Sequence, residues 1–238
     1  MVEKNKNDVM AEAFRTLRTN LQFVMKKTQG KVIMFTSTVS GEGKTFIASN
    51  LAVSTALLGK KVLLVGCDIR RPRLAEVFDF SSNLKGLTSY LVADEKEVAM
   101  LDKLIIPSNV VEGLDLLPAG IVPPNPAELL SSSNLDRAIE YLRDKYDYII
   151  FDAAPAGLVT DSMIVCRVAD IVAYVLRLGY TQKVDAKFIG EIIREKKLGN
   201  VAIVVNGEDL GKKTYGSRGS HRYSSYGYSY SDEYVKRT

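Results

Sequence analysis

Histidine is nearly missing from this chain, cysteine is scarce, and no apolar run is long. The single histidine, His221, falls in a Ser/Tyr/Gly-rich stretch near the end. That excludes a histidine-dependent triad or a multi-histidine zinc site from the body of the protein. The two cysteines, Cys67 and Cys166, sit inside apolar stretches without CxxC spacing. This is the usage of a reduced, cytosolic protein rather than of a disulfide framework. The longest apolar run, Ile171 to Leu176, has six residues, and a bilayer-spanning helix needs about 20. No membrane-crossing segment is expected. The opening Met-Val-Glu-Lys-Asn-Lys-Asn sets no apolar core behind its charges, unlike a signal peptide.

What is present is a globular balance: 238 residues, 46% hydrophobic and 25% charged. That suits one large α/β domain or two small ones. The net charge of +4 is uneven, with 26 basic and 26 acidic residues up to Gly211 and six against two from Lys212 onward. A neutral body argues against nucleic-acid binding, and a basic tail argues for a separate role at the end of the chain.

Apolar runs at Val32–Ser37, Val62–Gly66, Leu114–Pro118, Tyr148–Asp152, Ile171–Leu176 and Val201–Asn206 predict strands buried on both faces. Helical patterns follow at Lys44–Leu58, Leu135–Lys145, Asp161–Val168 and Gln182–Lys197. Such alternation implies an α/β fold, a mainly parallel sheet with helices on both faces, whose chemistry lies beyond the carboxyl ends of the strands. A first helix, about Asp8 to Lys26, carries an apolar stripe at Phe14, Leu17, Leu21 and Val24, with Glu12, Arg15 and Arg18 on another face. Short helices and a loop are expected over Ser81–Val111, and a loop and helix start over the proline-rich Val122–Leu130. Lys212–Thr238 has Val235 as its only aliphatic residue and is expected to be disordered.

Ser37-Thr-Val-Ser-Gly-Glu-Gly-Lys-Thr45 lies between a buried strand and a helix and ends as a P-loop does, although Thr38 occupies the usual first-glycine position. Backbone N–H groups from Val39 through Phe46 (Val39, Ser40, Gly41, Glu42, Gly43, Lys44, Thr45, Phe46) would wrap a phosphate, Lys44 would reach its outer oxygens, and the Thr45 hydroxyl would ligate Mg²⁺. Asp68 and Asp152 stand at two further strand ends, where a carboxylate can hold a magnesium-bound water or merely cap a turn. Asn206, at the last strand end, either reads adenine or turns the chain. Arg70 and Arg71 face phosphate, substrate or solvent.

In this order the residues resemble the bacterial tyrosine kinases, the BY-kinases, relatives of the MinD/ParA deviant-Walker ATPases. The resemblance runs through Glu12-x-x-Arg15-x-x-Arg18, the P-loop, Asp68-Ile-Arg70-Arg71-Pro72, Pro118-Ala-Gly-Ile-Val-Pro-Pro-Asn-Pro-Ala-Glu-Leu-Leu130, the Walker B strand ending at Asp152, and a C-terminal tyrosine cluster. It implies a P-loop kinase domain over 1–211, with an oligomerisation helix at 1–27, and a flexible tail at 212–238. Lys44, Asp68 and Asp152 would be catalytic, with Thr45, Asp68 and Asp152 holding magnesium beside ATP. Glu12, Arg15 and Arg18 would join subunits into a ring. The substrates would be Tyr215, Tyr223, Tyr226, Tyr228, Tyr230 and Tyr234, phosphorylated between subunits, and two or three phosphates, each about −1.5 to −2 in charge, would cancel the excess positive charge. The family further implies control of capsule or exopolysaccharide export at the inner face of the membrane, with a membrane-anchored polysaccharide co-polymerase and a resetting tyrosine phosphatase.

Two departures bear on this. Gly66 stands where the family has the first aspartate of Asp-x-Asp, its favoured base, which leaves the base open with Asp68 as surrogate. Ala153-Ala154 replaces the usual Thr/Ser-Pro after Asp152. Val39 takes the position at which MinD/ParA switch ATPases carry an early lysine, which counts against that alternative. A pseudokinase scaffold is the third reading.

Overall fold

The structure is a computed structural model that describes residue 1 and residues 9–28, 30–81, 83–93, 97–195 and 197–208. The six apolar runs form strands β1 (Val32–Ser37), β2 (Val62–Gly66), β4 (Leu114–Leu117), β5 (Tyr148–Asp152), β6 (Ile171–Arg177) and β7 (Val201–Asn206), and a two-residue strand β3 (Ile106–Pro107) joins them. The sheet order is β3-β4-β2-β5-β1-β6-β7. Every neighbouring pair is parallel except β3 with β4. The α/β expectation therefore holds, with one strand more than the apolar runs announced. Strand β3 lies within Ser81–Val111, where only short helices and a loop were expected. Two residues leave no periodic signal, and Pro107, which lacks an N–H, suits an antiparallel edge.

The helices are α1 (Val9–Thr28), α2 (Lys44–Ala56), α3 (Leu74–Val77), α4 (Leu87–Leu91), α5 (Pro126–Ser131), α6 (Ser133–Arg143), α7 (Asp161–Val165) and α8 (Lys183–Arg194), with 3-10 turns at Val98–Lys103 and Cys166–Val168. Successive residues of β1 serve opposite faces of the sheet. Val32 and Met34 pack in one core with Leu135, Ile139 and Leu142 of α6. Ile33 and Phe35 pack in the other with Leu51 of α2 and Phe14, Leu21 and Met25 of α1.

The apolar stripe of α1 is displaced by one residue: Met25 is buried while Val24 is exposed. That register also corrects Arg18, four residues after Phe14 and three before Leu21, which lies toward α2 instead of sharing an outer face with Glu12 and Arg15. Its Nη1 donates to the Ser54 hydroxyl at 2.9 Å and to the Ser54 carbonyl. Among the described residues no helix is long and apolar enough to cross a membrane. The boundary at Gly211 and the six tail tyrosines lie outside the described residues.

Candidate active site

The loop leaving β1 turns back into α2 through Gly43, whose φ of +98° is accessible to glycine and strained for other residues. A Cβ there would also lie 2.2 Å from Asn206 Nδ2. Gly43 is the N-cap of α2 and supplies no side-chain cap. No side-chain hydrogen bond caps the first turn of this 13-residue helix, and uncapped first-turn amides are the arrangement that binds phosphate.

Thr38, at the unusual first position, is buried and bonds its hydroxyl to that of Tyr174 at 3.1 Å. Room for it comes from Gly157, where a Cβ would stand 2.7 Å from Thr38 Cγ2 and 2.5 Å from the Thr38 carbonyl oxygen. The buried Glu42 carboxylate accepts the Val39 N–H at 2.9 Å and the Thr181 hydroxyl. Lys44 Nζ donates to Ser37 Oγ at 3.0 Å. Burial lowers the Lys44 pKa, and the fields of Asp152, Asp68 and Glu42 pull the other way.

Asp152 closes β5 at 4% exposure. Burial pushes its pKa up to about 6, against a hydrogen bond with Thr45 and the field of Lys44. Its Oδ1 is buried without a hydrogen-bond partner. An orphaned, buried carboxylate oxygen beside a threonine hydroxyl is the donor set a hard cation satisfies. Among the described residues no three His, Cys, Asp or Glu side chains converge. The orphaned Asp152 oxygen and the Thr45 hydroxyl fit Mg²⁺, which keeps waters and phosphate oxygens in its shell and needs only one or two carboxylates.

Asp68 follows the end of β2. The Cys67 and Asp68 N–H groups both donate to the Asp152 carbonyl, at 2.8 and 2.9 Å, which hooks this loop onto β5. The Asp68 carboxylate accepts the Arg71 N–H at 3.0 Å, so it does cap a turn. Burial raises its pKa, offset by that bond and by Lys44. Gly66 is the register partner of Asp152, and a Cβ on it would lie 2.9 Å from the Ala119 amide nitrogen. The missing aspartate would thus stand next to Asp152 and press on the chain beyond β4.

Arg70 does not extend toward phosphate. Its guanidinium forks onto Asp161 of α7, Nε to Oδ2 at 2.7 Å and Nη2 to Oδ1 at 2.9 Å, and Asp161 is 1% exposed. Arg71 is exposed. The Phe46 side chain packs edge-on to Phe14, centroids 5.8 Å apart, joining α2 to α1. Asn206 braces the loop: its Nδ2 donates to the Glu42 carbonyl at 2.9 Å and its Oδ1 accepts the Gly207 N–H at 2.8 Å. Glu12 and Arg15 form an exposed ion pair of 2.9 Å on α1.

Motif reading missed Asp161 and the turn after β6, where Arg177, Tyr180 and Thr181 reach the P-loop. The available signal was positional, since that turn also follows a strand's carboxyl end.

Comparison with known proteins agrees with this geometry. A family model described as an AAA domain matches residues 30–181. The tyrosine-protein kinase YwqD of Bacillus subtilis is 38% identical over 211 residues, covering 88% of this chain and 86% of that protein. The solved kinase domain of the Escherichia coli tyrosine kinase ETK superposes with a TM-score of 0.79 at 32% identity, over 90% of this chain and 82% of that one. The septum site-determining protein MinD of Pyrococcus horikoshii, solved with Mg-ADP, gives a TM-score of 0.60 at 25% identity, over 74% and 69%. With a P-loop whose lysine, threonine and strand-end aspartate lie together, and with relatives of this length and identity, the chain belongs to the bacterial tyrosine kinases and is a protein-tyrosine kinase.

Proposed function

We propose that this kinase uses Mg·ATP to phosphorylate tyrosines of its own C-terminal tail between subunits, and that the modification regulates capsule or exopolysaccharide synthesis and export. The observation that carries the reading is the pairing of the orphaned Asp152 oxygen and Thr45 with six tyrosines in the last 24 residues. When bound, Mg·ATP supplies an activated γ-phosphoryl group and a cation that offsets its charge. Lys44 then holds the outer phosphate oxygens, while Thr45, Asp152 and Asp68 fix the cation. Asp68, less buried than Asp152 and raised in pKa by burial, takes the phenolic proton in place of the aspartate that Gly66 replaces. Phosphoryl transfer has a loose transition state, so positioning and charge compensation count for more than a strong base.

A tail over 212–238, rich in Gly and Ser, reaches a neighbouring subunit's cleft at little entropic cost. Its phosphorylation reverses its charge, expels it and loosens a ring whose contacts include Glu12 and Arg15, with Arg18 securing α1 to α2. The domain over 1–211 works at the cytoplasmic face of the membrane through a membrane-anchored co-polymerase, and a tyrosine phosphatase resets it.

Intact mass after phosphatase treatment, before and after Mg·ATP, tests the reading, with Lys44→Met as control. Steps of one phosphate that map to residues 215–234 and vanish in the control are expected. Bound ATP with no mass change would instead favour a scaffold, and phosphate released only to water would favour a MinD/ParA-like switch.

A further inference from the structure

Six of the twelve tyrosines belong to the body of the chain, and all six are described. Tyr90, Tyr146 and Tyr174 are buried, and Tyr141 and Tyr148 are half-buried. Tyr180 alone is exposed, at 48%. It sits on the turn after β6, and that turn holds three consecutive residues of the P-loop. Tyr180 Oη donates to the Ser40 carbonyl at 2.9 Å, Arg177 Nη1 donates to the Gly41 carbonyl at 2.8 Å, and the Thr181 hydroxyl donates to the Glu42 carboxylate. The Arg177 guanidinium lies 5.2 Å from the centre of the Tyr180 ring, within cation–π range. A Cβ on Gly41 would stand 2.8 Å from the tyrosine oxygen, so the ring closes directly on the loop backbone. On its other side the turn is open: nothing lies within 4 Å of a Cβ placed on Gly179, and Leu178 is exposed.

We propose that Tyr180 is itself a phosphorylation site, modified by another copy of this chain, and that its phosphate opens the brace and weakens nucleotide binding. The proposal rests on the reading that the kinase acts on copies of itself. In the step, Tyr180 Oη attacks the γ-phosphorus of ATP held by the other copy. The Oη–P bond forms, the bond from that phosphorus to the β–γ bridging oxygen breaks, ADP leaves, and the phenolic proton passes to that copy's carboxylate or to water. The modified oxygen no longer donates to Ser40. A group of about −1.5 to −2 charge then faces the Ser40 carbonyl, and competes with the Gly41 carbonyl for Arg177, whose guanidinium lies against the Tyr180 ring. Residues Ser40 to Glu42 lose their outer support together, so product accumulates as an enzyme that holds ATP less well.

The test uses the full chain. After Mg·ATP, tryptic peptide Leu178–Lys183 is expected to carry one phosphate, localised to Tyr180 by fragmentation. It should be absent from Lys44→Met alone and present in Lys44→Met mixed with active chain. Titration with a fluorescent ADP should show at least tenfold weaker binding by the phosphorylated chain than by the phosphatase-treated one. Tyr180→Phe also lacks the bond to Ser40, so it should bind ADP more weakly than the phosphatase-treated parent, and its affinity should not change further after Mg·ATP. Tail phosphorylation with Leu178–Lys183 unmodified overturns the proposal and leaves the proposed function standing. A modified Tyr180 with unchanged ADP affinity also overturns it. No phosphate on any tyrosine overturns both.

Discussion

Two aspartates close two adjacent strands and follow the same sequence pattern, yet the fold makes different groups of them. Asp152 is buried at the end of β5, shares a hydrogen bond with Thr45 and keeps one oxygen without a partner. Asp68 lies two residues past β2, partly open, with its carboxylate spent on the turn that carries Arg71. The first is a strained binding group whose cost is repaid only by a cation. The second is a satisfied turn residue with capacity to spare. The difference teaches that a strand-end carboxylate is defined by how many of its lone pairs the protein fills.

The sharpest way to break this contrast is Asp152→Asn, which is expected to reduce kinase activity at least 100-fold, the scale for losing a charge that steadies transferring phosphate. The same change should stabilise the nucleotide-free chain. A carboxyl at about 6 in the folded state, against 3.8 when unfolded, leaves the native state binding more protons between those values. Its stability therefore falls as pH rises from about 4 to about 6, by about 3 kcal/mol in all. Asp152→Asn should recover most of that at pH 7.5 and little at pH 4, read by urea unfolding at the two pH values. An equal gain at both would mean that Asp152 is not strained.

Next in size is Arg70→Ala, which leaves the buried Asp161 carboxylate without its fork. A loss of about 2 kcal/mol in urea unfolding is expected, with Arg70→Lys recovering part of it because one ammonium cannot serve both oxygens. No loss would show that the pair is mere surface decoration.

Gly66→Asp should cost about 1–2 kcal/mol, because its Cβ meets the Ala119 amide and the surrounding backbone must shift. The new carboxylate also stands in register with Asp152 and should move that residue's titration upward, since like charges oppose ionisation. A pH profile of stability identical to that of the parent chain would contradict this placement.

The smallest stability effect belongs to Asp68→Asn, within about 1 kcal/mol, since an amide oxygen still accepts the Arg71 N–H. Its kinase activity should nevertheless fall. If Asp68→Asn stabilised the chain as much as Asp152→Asn, the two aspartates would be alike after all.

Much of the fold was legible because β1, β2, β5 and β6 are buried on both faces and so read as unbroken apolar runs. Strand β3 was not, because two residues carry no period. The stripe on α1 was read one residue off at Val24, since two helical turns span slightly more than seven residues, and the same drift carried Arg18 toward α2. The P-loop, Asp68 and Asp152 were legible because each is a local pattern, a glycine turn or an acidic residue after an apolar strand, although the bonds that bring Asp68 to Asp152 are long-range. Arg177, Tyr180 and Thr181 were not, because they meet residues 40–42 only through the pairing of β1 with β6.

The sequence by itself determined the α/β class, the phosphate loop, its lysine and threonine, and the two acidic strand ends, all of which rest on near-neighbour periodicity and turn chemistry. Only the tertiary structure decided that Asp152 is orphaned while Asp68 is satisfied, that Arg70 is tied to Asp161, and that a tyrosine from the turn after β6 closes on the P-loop. Each of these depends on which strands lie side by side and on how much water reaches a given oxygen, and neither quantity is written in the spacing of residues along one chain.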